Sequence, residues 1–250
     1  MNSLVFLIQQ TMIFFVPLMI VALGAMYSER SGVLNIALEG VMVFGAFWGI
    51  LFINKFQATL PSGWVLFIAI IISMVMGLIF SVFHAFAAIN LKADQTISST
   101  ALNTFATAFC IFFARVVQDV EQVNFKNTFR ISKIPVLGDM PFIGPAFFQN
   151  TYVTTFLGIL ILFISSFVLY KTKFGLRLRS CGENPQAADS VGINVYKMRY
   201  IGVLISGALG GLGGLVYVIP TSTMFNSTVG GYGFLAMTVL VFGQWKPSKI

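Results

Sequence analysis

The sequence predicts an all-α membrane protein, a polytopic bundle of transmembrane helices with about seven spans, the last incomplete. Three observations carry this. Hydrophobic residues make up 57% of the 250 positions and charged residues only 9%, with a mean hydropathy of +0.89, whereas a water-soluble chain carries about a quarter charged residues. Apolar runs of roughly 20 residues, the length that crosses a bilayer core about 30 Å thick, recur with no soluble-looking stretch between them. Ten of the fifteen Lys and Arg fall into alternate inter-run segments, as the positive-inside bias requires.

Spans are expected near 4–27, 33–53, 64–90, 97–117, 151–170 and 200–219, with a last one starting at Tyr232. The first run is read as a retained span, because no Lys or Arg precedes Arg30 and a cleaved leader needs a charged start and a shorter apolar core. The 171–199 segment is the most basic loop. Placing it in the cytoplasm puts Glu29/Arg30, Lys92/Asp94 and Lys246/Lys249 on the same side and the N-terminus outside. Lys55 and the segment 118–150 then face outward, where Asp119, Glu121 and Asp139 balance Lys126, Arg130 and Lys133. Pro135, Gly138, Pro141, Gly144 and Pro145 make 118–150 an irregular external cap or a simple connector. The whole chain, 1–250, reads as one membrane domain, with 171–199 as a loop within it. The net charge of +7 is thereby an orientation signal, and no nucleic-acid partner is expected.

Polar residues inside such a chain are costly unless paired or facing water. In SERSGVLNIALEG, Ser28–Gly40, Asn35 and Glu39 stand four apart, which places them on one face of an expected helix. They either hydrogen-bond between helices or lie on a solute pathway. Thr96, Ser99, Thr100, Asn103 and Thr107 form a second stripe at helical spacing. The hydroxyls suit helix packing, and Asn103, with two donors and an acceptor, is the better candidate for touching a solute. Gly207, Gly210, Gly211, Gly213 and Gly214 contain two small-xxx-small registers, Gly207/Gly211 and Gly210/Gly214, for close backbone approach in lipid. His84, the single histidine, has no second ligand at metal spacing. Cys110 and Cys181 are expected on opposite sides of the fold, which excludes a disulfide between them.

In the basic loop, Asn184-Pro185 reads as an N-cap followed by proline at the first helical position, and Gln186–Ser190 as a short helix closed by Gly192. Its small residues, Ala187 and Ala188, suit insertion into a partner's groove. No GxxxxGK[ST], HExxH or GxSxG element occurs, so P-loop nucleotide binding and hydrolytic catalysis have no support in this polypeptide.

The stretches SERSGVLNIALEG, KADQTISSTALN and FGLRLRSCGENPQAADSVGINVYKMRYIGVLISGALGGLGG, with GYGFLAMTVLVFGQWKP, together resemble the membrane permeases of bacterial ABC importers in the ribose/branched-chain amino acid superfamily, most closely its nucleoside and simple-sugar branch. The resemblance covers nearly everything except 118–150. It implies a passive subunit of the inner membrane, not an enzyme, working by alternating access. The implied partners are a second permease subunit, as homo- or heterodimer, a cytoplasmic ABC ATPase and an extracytoplasmic solute-binding lipoprotein, all around a lipid bilayer. It implies no cofactor on this chain, ATP and Mg being used by the ATPase. It makes Gly175–Val195 the coupling segment, with Gly175, Arg177, Glu183, Asn184, Pro185, Ala187, Ala188 and Gly192 as coupling residues and Asn184–Gly192 as the docking helix. Members of that family continue past the GQWKP position, so a chain ending at Ile250 is expected to be truncated. Cargo is expected to be a nucleoside, then a simple sugar such as ribose or galactose, then riboflavin. An ion-coupled secondary transporter working through Glu39 is the alternative of another class, and a membrane scaffold a third.

Overall fold

In the computed structural model, which describes residues 2–126, 128–133 and 144–250, every apolar run is helical. The elements are α1 (Asn2–Arg30), α2 (Leu38–Phe56), α3 (Ser62–Ala85, extended by a π-helical turn Phe86–Asn90), α4 (Gln95–Gln118), β1 (Val123–Asn124), β2 (Arg130–Lys133), β3 (Gln149–Tyr152), α5 (Val153–Lys171), α6 (Lys173–Glu183), α7 (Pro185–Ser190), α8 (Val195–Thr221), β4 (Met224–Phe225) and α9 (Tyr232–Phe242). Among the described residues, α1, α2, α3, α4, α5 and α8 are long and apolar enough to cross a membrane. The seventh apolar helix, α9, has only 11 residues, about 16 Å at 1.5 Å per residue and so about half a bilayer core.

α8 is the central helix, buried over most of its length where α4 is largely uncovered, and α1, α2 and α3 pack around it. Its glycines make this possible. A β-carbon on Gly214 would overlap the Met42 carbonyl oxygen of α2, and one on Gly211 would overlap the Ser73 carbonyl oxygen of α3. Ser73 Oγ donates to the Gly211 carbonyl at 2.7 Å, so close approach is fixed by a hydrogen bond as well as by dispersion. Leu212, Leu215 and Ile219 fill the same core with Ile20, Leu23, Met42 and Ile50.

The second span departs from expectation. Residues 31–37 are not helical and α2 begins at Leu38, so Asn35 and Glu39 do not share a helix face. The physical reason is that side chains from other elements satisfy this turn's backbone. Ser28 Oγ donates to the Val33 carbonyl at 2.7 Å, Gln95 Oε1 accepts from the Leu34 amide at 2.8 Å, and His84 Nε2 donates to the Leu34 carbonyl at 2.9 Å. Asn103 Nδ2 donates to the Ile36 carbonyl at 3.1 Å, and Gly32 supplies a left-handed φ of 85°. Buried non-helical backbone is tolerated where protein groups pair with its amides and carbonyls.

Arg30, Glu183 and Trp245 line one cavity and Lys92, Pro185 and Arg199 another, both on the face that carries α6 and α7. At the other end, β1 pairs antiparallel with β4, Val123 opposite Phe225, and β2 with β3. Asn54 Nδ2 donates to the Asn124 carbonyl there at 2.6 Å. The expected irregular stretch Pro135–Pro141 lies outside the described residues; Gly144–Phe148, just after it, forms a π-helical turn.

Candidate functional site

Two groups of residues carry the expected chemistry, one inside the bundle and one on the α7 face. Inside, Glu39 is the second residue of α2, and its carboxylate reaches across to the start of α9. Oε1 accepts from the Gly231 amide at 2.8 Å and Oε2 from the Gly233 amide at 2.7 Å. Helix N-termini leave amide hydrogens unpaired and carry partial positive charge, so one carboxylate satisfies two donors of α9 while standing in the first turn of α2. Gly233 allows the contact, since a β-carbon there would overlap the Glu39 backbone nitrogen.

Asn103 is equally committed. Beside its bond to Ile36, its Oδ1 accepts from the Gly40 amide at 2.7 Å, so it clamps the start of α2 from α4. Asn35 is fully buried and its Nδ2 donates to Ser206 Oγ of α8 at 3.0 Å, while its Oδ1 is buried without a hydrogen-bond partner. All three residues thus converge on the junction of α2, α4, α8 and α9, as braces of backbone and helix ends. Of the expected α4 stripe, Ser99 is buried and Thr96 and Thr100 are exposed; the Thr100 hydroxyl donates to the Thr96 carbonyl one turn back at 2.8 Å. Among the described residues no group of three or more His, Cys, Asp or Glu is placed to hold a metal ion.

On the α7 face the chain turns sharply out of α5. Thr172 caps α6, its Oγ1 accepting from the Gly175 amide at 3.2 Å. A β-carbon on Gly175 would overlap the Val168 and Leu169 carbonyl oxygens, so only glycine lets α6 fold this tightly against α5. Asn184 Oδ1 accepts from the Ala187 amide at 3.0 Å, Pro185 starts α7, and Gly192, at φ 81°, ends it. Arg177 and Glu183 are exposed, as are Gln186, Ala187, Asp189 and Ser190. Ala188 corrects the expectation of a projecting small face on both alanines: it is 3% exposed and belongs to the core. Leu176, Val191 and Tyr196 expose 63%, 73% and 60% of their surface on this same segment.

Within the expected basic loop, Lys173–Glu183 forms a second helix, α6, beside α7. Its signal is present: Phe174, Leu178 and Cys181 recur at helical spacing after a threonine cap, and Leu178 and Cys181 are buried. The contact partners of Glu39 carried no such signal, because Gly231 and Gly233 lie 192 and 194 positions away.

A bundle of apolar helices around a glycine-rich central helix, with a capped helix turned out on one face and the half-length α9 closed by a carboxylate of α2, defines a polytopic membrane protein. Residues 7–250 match the family described as the branched-chain amino acid transport system / permease component, and the chain belongs to that family. It is 46% identical over 96% of its length to the guanosine ABC transporter permease protein NupQ of Bacillus subtilis, covering 76% of that protein. It is 40% identical over 98% of its length to the nucleoside ABC transporter permease protein NupC of Lactococcus lactis, covering 78% of it. It is 33% identical over 93% of its length to the putative glucose ABC transporter permease protein TsgC13 of Haloferax volcanii, covering 69% of it. No solved structure matches the chain. It is therefore a multi-pass permease of the cytoplasmic membrane, a transport component rather than an enzyme.

Proposed function

We propose that this chain is the membrane-spanning permease of an ATP-binding-cassette importer for nucleosides, working by alternating access. The observation that carries the cargo is the 46% identity to a guanosine permease over nearly the whole chain. A cytoplasmic ABC ATPase burns ATP with Mg, a solute-binding lipoprotein delivers cargo from outside, and a second permease subunit completes the pathway; this chain itself holds no cofactor.

On this reading the α7 face is cytoplasmic and α7 docks in the ATPase. Its exposed Ala187 and Gln186, with the unburied apolar side chains of Leu176, Val191 and Tyr196, give a surface that water does not favour and a partner's groove would. Asn35, Glu39 and Asn103 shape the pathway by holding the starts of α2 and α9, and movement of those two helix starts changes which side the pathway opens to. A ligand or partner shifts such an equilibrium only through contacts that differ between the two states.

The test is uptake of labelled guanosine by vesicles holding permease, ATPase and lipoprotein. ATP-dependent uptake competed by other nucleosides is expected. The similarity to a glucose permease supports a second reading, and competition by simple sugars with indifference to nucleosides would establish it instead. Uptake that ignores ATP and collapses with an ion gradient would point to the secondary-transport class.

A further inference from the structure

The short helix α9 is tied down at both ends, and its second attachment has no role in the reading above. After Phe242 the chain folds back in a hook, the Trp245 amide donating to the Leu240 carbonyl at 3.2 Å and the Lys246 amide to the Gly243 carbonyl at 3.1 Å. Gln244 and Trp245 stand at φ 54° and 52°, a left-handed pair that a bulky aromatic residue adopts only when its surroundings enforce it.

The surroundings here are the ends of three other helices. The Trp245 indole Nε1 donates to Glu29 Oε2. Its carbonyl accepts from Arg30 Nη2 at 3.1 Å and from the Tyr170 hydroxyl of α5 at 3.2 Å. Arg30 is shared: its Nη1 lies 3.7 Å from Glu183 Oε1, and Glu183 is the last residue of α6, immediately before the Asn184 cap of α7. The backbone makes the same link, because a β-carbon on Gly182 would overlap the Arg30 carbonyl oxygen. Arg179 of α6 lies over the Tyr170 ring, 4.8 Å from its centroid.

These contacts form one chain of touching groups from the docking helix to α9. The Glu183–Arg30 pair holds little by itself, because its carboxylate partner is exposed. What matters is that α6 cannot shift without moving Arg30 or losing it, and that Arg30 and Glu29 together hold the left-handed hook. We propose that Trp245 is the positioning residue of a clamp, formed with Glu29, Arg30 and Tyr170, that carries displacement of the coupling segment into α9 and through it to the Glu39 junction. The clamp is a contiguous hydrogen-bonded network between the two elements, the kind of physical link through which coupling between distant sites travels. This rests on the reading of α7 as the ATPase-docking helix.

The experiment uses the full complex in vesicles, with guanosine uptake and ATP hydrolysis measured together. Trp245→Phe keeps an aromatic side chain, though a smaller one, and the backbone carbonyl, but removes the donor to Glu29. We expect ATP hydrolysis within twofold of the parent and guanosine taken up per ATP to fall at least fivefold. Glu29→Ala gives the same uncoupling, and Glu29→Gln, which keeps an oxygen for the indole, restores most of it; a purely structural lesion would lower both activities in parallel. An unchanged uptake-to-hydrolysis ratio in Trp245→Phe, or in Glu29→Ala if the first variant does not insert, overturns the proposal. Ala187→Cys separates the two ideas. A cross-link to the ATPase with an unchanged ratio defeats the clamp alone, whereas no cross-link in any nucleotide state defeats the docking reading on which it rests.

Discussion

Glu39 Oε2 lies 2.7 Å from the Gly233 amide, so the second residue of a full-length span, α2, closes the start of the half-length helix α9. This contact explains why a carboxylate is kept inside an apolar bundle: it pairs with amide donors that have no other partner at a helix start. Glu39→Ala would orphan the Gly231 and Gly233 amides, at a cost of about 1–3 kcal/mol for each unsatisfied buried group. Glu39→Gln keeps acceptor oxygen but loses the charge that the helix start favours, and should fall between. Thermal unfolding of the detergent-solubilised permease checks the order Glu39, Gln, Ala. ATP-driven uptake should survive Glu39→Gln and ignore collapse of the proton gradient; loss of uptake in step with the gradient would restore the ion-coupling role.

Gly214 and Gly63 offer a matched pair. A β-carbon on Gly214 would overlap the Met42 carbonyl oxygen, which is backbone and cannot swing away, whereas one on Gly63 meets nothing within 4 Å. Gly214→Ala is expected to destabilise by roughly 1–3 kcal/mol, the range for overpacking a core, and Gly214→Leu to prevent folding. Gly63→Ala should lie within about 0.5 kcal/mol of the parent, as surface changes do. Yield of monodisperse protein and its melting temperature read both.

Adjacent alanines in α7 should separate stability from docking. Ala188 is buried and Ala187 exposed, so Ala188→Glu buries an unpaired charge and lowers stability by several kcal/mol. Ala187→Glu leaves the melting temperature unchanged while abolishing copurification of the ATPase. Equal loss of stability in both would mean that α7 packs differently from the structure.

The sequence made the membrane spans legible because bilayer thickness sets one length scale and apolar runs announce it. It also made α7 legible, since Asn184, Pro185 and Gly192 are local signals whose meaning depends on near neighbours. The start of α2 was not legible. Nothing in SGVLNIAL forbids a helix from residue 33; what ends the helical pattern is Gln95, His84 and Asn103, contributed from other elements. The same holds for Glu39 and Asn103: residue type alone marks them as polar anomalies in an apolar chain, but their partners are set by tertiary structure.

Cys181 provides the last test, of sidedness and packing together. Its side chain is fully buried, and burial raises its thiol pKa above the ordinary value, outweighing the opposite pull of Arg199 and of the Ser180 hydrogen bond. The thiolate is the nucleophile, so a raised pKa means fewer thiolates near neutral pH and a reaction rate that keeps climbing further into the alkaline range than for a free cysteine. In intact membranes Cys181 should therefore react with a maleimide far more slowly than a cysteine placed at exposed Ala187, from whichever side the reagent is added. Ala187→Cys, in a background with Cys181 replaced by Ser, should label only from the cytoplasmic side, and protection by added ATPase should follow. Labelling of that cysteine from outside would invert the topology, because Arg30, Lys92 and Trp245 share its face and would be carried with it.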